Sequence, residues 1–110
     1  MRIAVIGGRE RSDEQLARLA ARSGYELEFH PGDLHGGVQE LKVAVARSTL
    51  VVIVTEINSH GAVAIAKRAA QRLGRPMLVM RKLTLARMKL LLAALAARDH
   101  HEHALVAAAH

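Results

Sequence analysis

Three observations predict a small Rossmann-like α/β fold, three-layered around a four-stranded parallel sheet of order 2-1-3-4. Strand-like and helix-like runs alternate four times, the pattern of right-handed βαβ units with helices on both sheet faces. The 51% hydrophobic content comes almost wholly from Ala, Val, Leu and Ile, with Tyr25 and Phe29 as the only aromatics, which suits an aliphatic core. At 110 residues the chain is one domain able to bury a modest core.

Residues 2–8, "RIAVIGG", form a short apolar run ending in a glycine pair, the signature of a buried parallel strand and its turn. Ser12 is positioned as an N-cap, and Gln15 completes a capping box. Residues 13–23 follow as a helix with Leu16, Leu19 and Ala20 on one face and Gly24 as its stop. "YELEFH" alternates and predicts a strand nearer the sheet edge, closed by "PGD". "GGVQELKVAVARS" sets Val38, Leu41 and Val45 at helical spacing. "TLVVIVTE" is the most apolar strand and is expected at the centre. Residues 59–73 are again helical, stopped by "LGRP", and "MLVMR" is the fourth strand. A Leu/Ala helix runs from Thr84 to about Arg98, and "DHHEHALVAAAH" is a tail with no structure assigned. The expected division is 1–83 for a ligand-binding domain and 84–110 for a dimerisation helix and His-containing tail.

The last helix carries apolar residues on two faces. Leu85, Met88, Leu92 and Leu95 make one seam, while Leu83, Leu90 and Leu91 fall elsewhere. A helix apolar on two sides is buried on two sides, one against its own sheet and the other against a second copy. The fourth strand also needs cover as an edge. A homodimer is therefore expected. Whether the fourth strand or last helix is exchanged between subunits stays open.

Composition also narrows function. The absence of cysteine excludes disulfides, thiolate metal sites and thiol nucleophiles. "MRIAVIGGRERSDE" lacks a signal-peptide cleavage site, and no apolar stretch approaches the roughly 20 residues of a membrane span. A cytoplasmic location is the expectation. The formal charge of +6 favours an anionic ligand or partner, although the cations are spread over every helix, as solvated faces are.

In open parallel sheets, ligands bind beyond the carboxyl ends of the strands at the point where strand order reverses. For order 2-1-3-4 that point lies between the first and third strands. Gly7, Gly8 and Arg9 follow the first strand and His30 the second; Asn58, Ser59 and His60 follow the third and Arg81 the fourth. The first helix opens with Asp13 and Glu14, which offset its dipole, whereas the third has no acidic residue early on. Its free N–H groups, with Ser59 and His60, suit an anion or a carbonyl oxygen. The plainer alternative makes Asn58 or Ser59 an N-cap, the glycines a tight turn, and His30 a partner for its own turn.

No cofactor is expected. "GGRE" lacks the third glycine of G-x-G-x-x-G, and no Gly-Lys-Ser/Thr sequence exists for a P-loop. Ser59 and His60 are adjacent and diverge from a helix start, so they do not form a nucleophile–base pair. His30 could reach Ser59, but Glu56 and Asp33 do not clearly orient it. His100 and His103 would share a helical face in the tail, an arrangement for zinc or nickel that solvated histidines explain equally well.

The runs "AVIGGRE", "LEFHPGD" and "ARSTLVVIVTEINSHGAVAIAKRAAQRLGRPMLVMR" resemble the bacterial family known as domain of unknown function 2325, over residues 2 to about 83. That resemblance implies a small Rossmann-like domain with a GG turn, a histidine after the second strand, a Ser-His pair after the central strand and a nearby lysine. Those positions are Gly7, Gly8, His30, Ser59, His60 and Lys67 here. Many members carry cysteines in this region and this chain has none, so thiol or zinc chemistry does not transfer.

The leading expectation is a non-enzymatic, homodimeric small-ligand-binding domain. Its ligand would be a small anion, or in a minority version dioxygen held by an imidazole in an apolar pocket. The alternative is a nucleic-acid-binding dimer in which Arg68, Arg72 and Arg75 matter more than His60, against which the scarcity of aromatics counts. A hydrolase or transferase using His30 and His60 is the third reading. No membrane partner is expected.

Overall fold

The computed structural model describes residues 1–8, 13–34, 36–56 and 59–109, with side chains described through residue 98. The chain order is β1 (Arg2–Ile6), α1 (Asp13–Arg22), β2 (Glu26–His30), α2 (Val38–Ala46), β3 (Leu50–Val54), α3 (His60–Arg72), β4 (Met77–Met80) and α4 (Leu85–Ala109). All strand pairs are parallel and the sheet order is β2-β1-β3-β4. The chain is thus an α/β protein with the strand order the sequence predicts.

Period-two alternation divides the strand residues between two apolar layers. Ile3, Val5, Val52 and Val54 pack with Leu16 and Ala20 of α1 and Met88 and Leu92 of α4. Ala4, Ile6, Val51 and Ile53 pack on the other face with Leu41 and Val45 of α2 and Ala62 and Ala66 of α3. Every residue of β3 is buried, which is why its sequence is continuously apolar rather than alternating. The small Ala62, Ala66 and Ala70, one per turn of α3, bring that helix close to the sheet.

Two helix stops work as their glycines imply. Gly24 adopts φ +82°, its N–H donates to the Ala21 carbonyl, and the Tyr25 N–H donates back to Ala20. Gly74 at φ +64° does the same, with its own N–H on Gln71 and that of Arg75 on Ala70. Both are Schellman motifs, in which a left-handed residue satisfies the last carbonyls of the helix. Ser12, the expected cap of α1, lies outside the described residues.

α4 differs from expectation in two respects. It runs to Ala109, well past Arg98, so the tail's backbone is helical. Its inward stripe is Met88, Leu91, Leu92 and Leu95, at spacings of three and four, so Leu91 belongs with the seam. Leu85 and Leu90 are the outward apolar residues, and Leu90 is 72% exposed. Met88 is completely buried, so the start of α4 is part of the domain core rather than an appendage to it.

The β4 edge stays apolar on both sides. Leu78 pairs in register with Val52 and Val79 with Ile53, so they face opposite layers, yet they are 40% and 49% exposed.

Candidate ligand-binding site

The backbone draws the strand ends together. The Gly7 N–H donates to the His30 carbonyl at 2.8 Å, joining the ends of β1 and β2. The Ser59 N–H donates to the Gly32 carbonyl at 2.9 Å, joining the loop after β2 to the start of α3. Beyond β3, the Thr55 and Glu56 N–H groups donate to the carbonyls of Met80 and Arg81, tying the loop after β3 to the end of β4.

On the α2/α3 side of these ends the polar residues are already engaged. Ser59 Oγ accepts the Ala62 N–H at 3.0 Å as the N-cap of α3. His30 is 5% exposed, and its Nδ1 accepts the Gly32 N–H at 3.1 Å, closing the turn at "HPG". An Nδ1 that accepts carries no hydrogen, so a neutral His30 has its proton on Nε2. His60 opens α3 and is exposed, as is Arg81. Arg9 and Asn58 lie outside the described residues.

The opposite side of the same ends, on the sheet face that carries α1 and α4, holds a cavity of about 290 Å³ bounded by α1 and the segment before α4. Val5, Leu16, Phe29, Val54 and Leu83 form its apolar wall. Gly7 and Gly8 line it with bare backbone, and the rim carries Asp13, Glu56 and Lys82. Gly8 has φ +90°, and a Cβ there would stand 3.4 Å from Val54 Cγ1, on the cavity side of the strand. Glycine is required by that backbone angle, and its lack of a side chain keeps the cavity open.

Of the residues singled out from sequence, Gly7 and Gly8 line this cavity. Ser59 and His30 belong to the neighbouring turn network, while His60 and Arg81 face solvent. Sequence reasoning passed over Asp13, Glu56 and Lys82 as a group. Glu56 and Lys82 each lie two residues past Val54 and Met80, the last paired residues of β3 and β4, and both line the cavity beside Val54.

Among the described residues no group of three or more His, Asp or Glu side chains could hold a metal, and no helix is long and apolar enough to cross a membrane. The backbone of His100 to His103 is helical, and their side chains lie outside what is described.

Compared with known families, residues 2–95 match the family described as an uncharacterized protein conserved in bacteria, DUF2325. The chain belongs to this family. The DUF2325 match extends past residue 83 into α4, covering Met88 and Leu92 of the core. Of the positions that carry the resemblance, Gly7, His30 and Ser59 take part in the backbone bonds between the strand ends, while Lys67 sits half-buried on α3. No curated protein and no solved structure matches the chain.

Proposed function

We propose that this DUF2325 member is a non-enzymatic, homodimeric small-ligand-binding domain whose site is the cavity between Gly8 and Lys82. The observation that carries this reading is the cavity itself, at the switch point between β1 and β3, with an apolar wall and a charged rim. At about 290 Å³ it has the volume of about ten liquid waters. That suits a compact metabolite and is generous for a diatomic gas.

Among the described lining residues, two carboxylates stand against one ammonium, which favours a ligand that bears an amino group. Asp13 and Glu56 would accept from it, Lys82 would meet an acidic group if the ligand is zwitterionic, and Val5, Leu16 and Leu83 would hold its apolar body. A binding role fits the engaged state of Ser59 and His30. The hydroxyl oxygen of one and Nδ1 of the other each accept a backbone amide instead of facing each other. Support for the homodimer comes from Leu78, Val79 and Leu90, apolar residues left exposed along the β4 edge and α4.

A second reading keeps the small anion, or dioxygen, at the start of α3 beside His60. It is favoured by one observation: α3 has no acidic residue in its first turn. Native mass spectrometry of the purified chain beside Glu56→Gln and His60→Ala separates the two. The cavity reading expects a dimer whose added mass disappears in Glu56→Gln and survives in His60→Ala. The reverse pattern would move the site to α3, and a bare monomer in all samples would contradict both the dimer and a retained ligand.

A further inference from the structure

A second concavity lies on the far side of the molecule from the α1/α4 cavity, in the outer surface between α2 and α3. It is a groove of about 460 Å³ along α2 from Val38 to Ala46 and along α3 from Ile65 to Leu73. Val38, Val43, Ile65 and Leu73 give it an apolar lining, with Ala46 and Ala69 as its small residues. Lys42, Arg68 and Arg72 also line it, and no lining residue among those described is acidic. Val38 and Leu73 are 38% and 45% exposed, so apolar surface there is uncovered in the single chain.

We propose that this groove docks an acidic amphipathic helix of another protein. Shape and charge both support that occupant. Two parallel-packed helices with alanines between them leave a channel into which a third helix can settle, its apolar residues at spacings of three, four and seven. The nine residues of α2 rise about 13 Å at 1.5 Å each, enough to engage between two and three turns of the guest. Glu and Asp flanking the guest's apolar stripe would meet Lys42 on one helix and Arg68 and Arg72 on the other.

A second copy of the chain fits less well. An isologous contact would set Lys42, Arg68 and Arg72 against their own counterparts. Residues 81–98, which include all the described side chains of α4, contain Arg81, Lys82, Arg87, Lys89 and Arg98 and no acidic residue, so that segment would be repelled too. Nucleic acid is disfavoured by the apolar, non-aromatic lining. Arg75, the third cation of a nucleic-acid reading, instead donates to the Ala46 carbonyl at the end of α2.

The test uses the full chain and a fluorescein-labelled, acetylated peptide of about twenty residues with Leu along one helical face and Glu elsewhere, a length at which an isolated helix begins to form. Its counterpart with Lys for Glu and a labelled oligothymidylate serve as comparators, and binding is read by fluorescence anisotropy. The acidic peptide should bind at least tenfold more tightly than either comparator. Lys42→Glu and the double variant Arg68→Glu, Arg72→Glu should each weaken it at least fivefold, and Leu73→Ser should weaken it at unchanged charge. All these positions are exposed, so the variants should keep the fold, which circular dichroism checks. Equal binding of the two peptides would overturn the proposal, as would tighter binding of oligothymidylate or indifference to the charge reversals.

Discussion

The amide of Ser59 donates to the carbonyl of Gly32 at 2.9 Å, and this one bond fastens the start of α3 to the turn after β2. Ser59 serves the same junction with its side chain, capping α3 through the Ala62 N–H. Its two roles are structural and leave the α1/α4 cavity untouched.

Ser59→Ala should therefore cost stability and spare binding. Loss of an N-cap is worth about 1 kcal/mol, read as a lower denaturant midpoint at unchanged slope. Affinity for an amine ligand in the cavity should stay within about twofold. A large affinity loss with little change in stability would instead support a site at α3.

Gly8→Ala should damage both. At φ +90° an L-residue carries a penalty of about 1–2 kcal/mol, and the added methyl stands against Val54 at the cavity wall. Urea unfolding should register the destabilisation, and ligand titration of the folded fraction should show weaker binding than wild type. Unchanged stability would mean that the turn readily adopts another conformation.

The core contribution of α4 can be measured by Met88→Ala. Met88 is fully buried between α1 and the sheet, and truncations of this kind cost about 2–5 kcal/mol. Ending the chain after residue 83 should go further and abolish cooperative unfolding in calorimetry. A shortened chain with a normal melting transition would make α4 dispensable to the domain.

On the exposed β4 edge, Leu78→Lys and Val79→Lys should convert the proposed dimer to monomer with little loss of secondary structure. Light scattering coupled to size exclusion reads the mass directly. A dimer that survives both charges would locate its interface elsewhere, with Leu90 as the next position to change.

The fold was legible because its signals are local and repeated. β3 is continuously apolar, Gly24 and Gly74 end their helices, and the alternation of elements leaves few topologies. The site was harder to read. Ser59 and His30 drew attention as chemically versatile residues, yet each accepts an amide of its own loop. Glu56 and Lys82 follow different strands, and only the pairing of β3 with β4 brings them into one cavity lining. Register between distant strands depends on how the helices pack between them, which no short stretch of sequence records. The outward placement of Leu90 has the same origin, since the stripe that α4 buries is chosen by the sheet it lies against.

The most direct test titrates the isotopically labelled protein with 3-methylbutylamine and, separately, with 4-methylpentanoate, following backbone amides by NMR. The amine should move the signals of Gly7, Gly8, Glu56 and Leu83, and Glu56→Gln should weaken that response at least fivefold, while the acid leaves those signals in place. Movement of His60 and Ala62 by the acid or by inorganic phosphate, with the cavity amides still under the amine, would contradict the assignment of the cavity as the binding site.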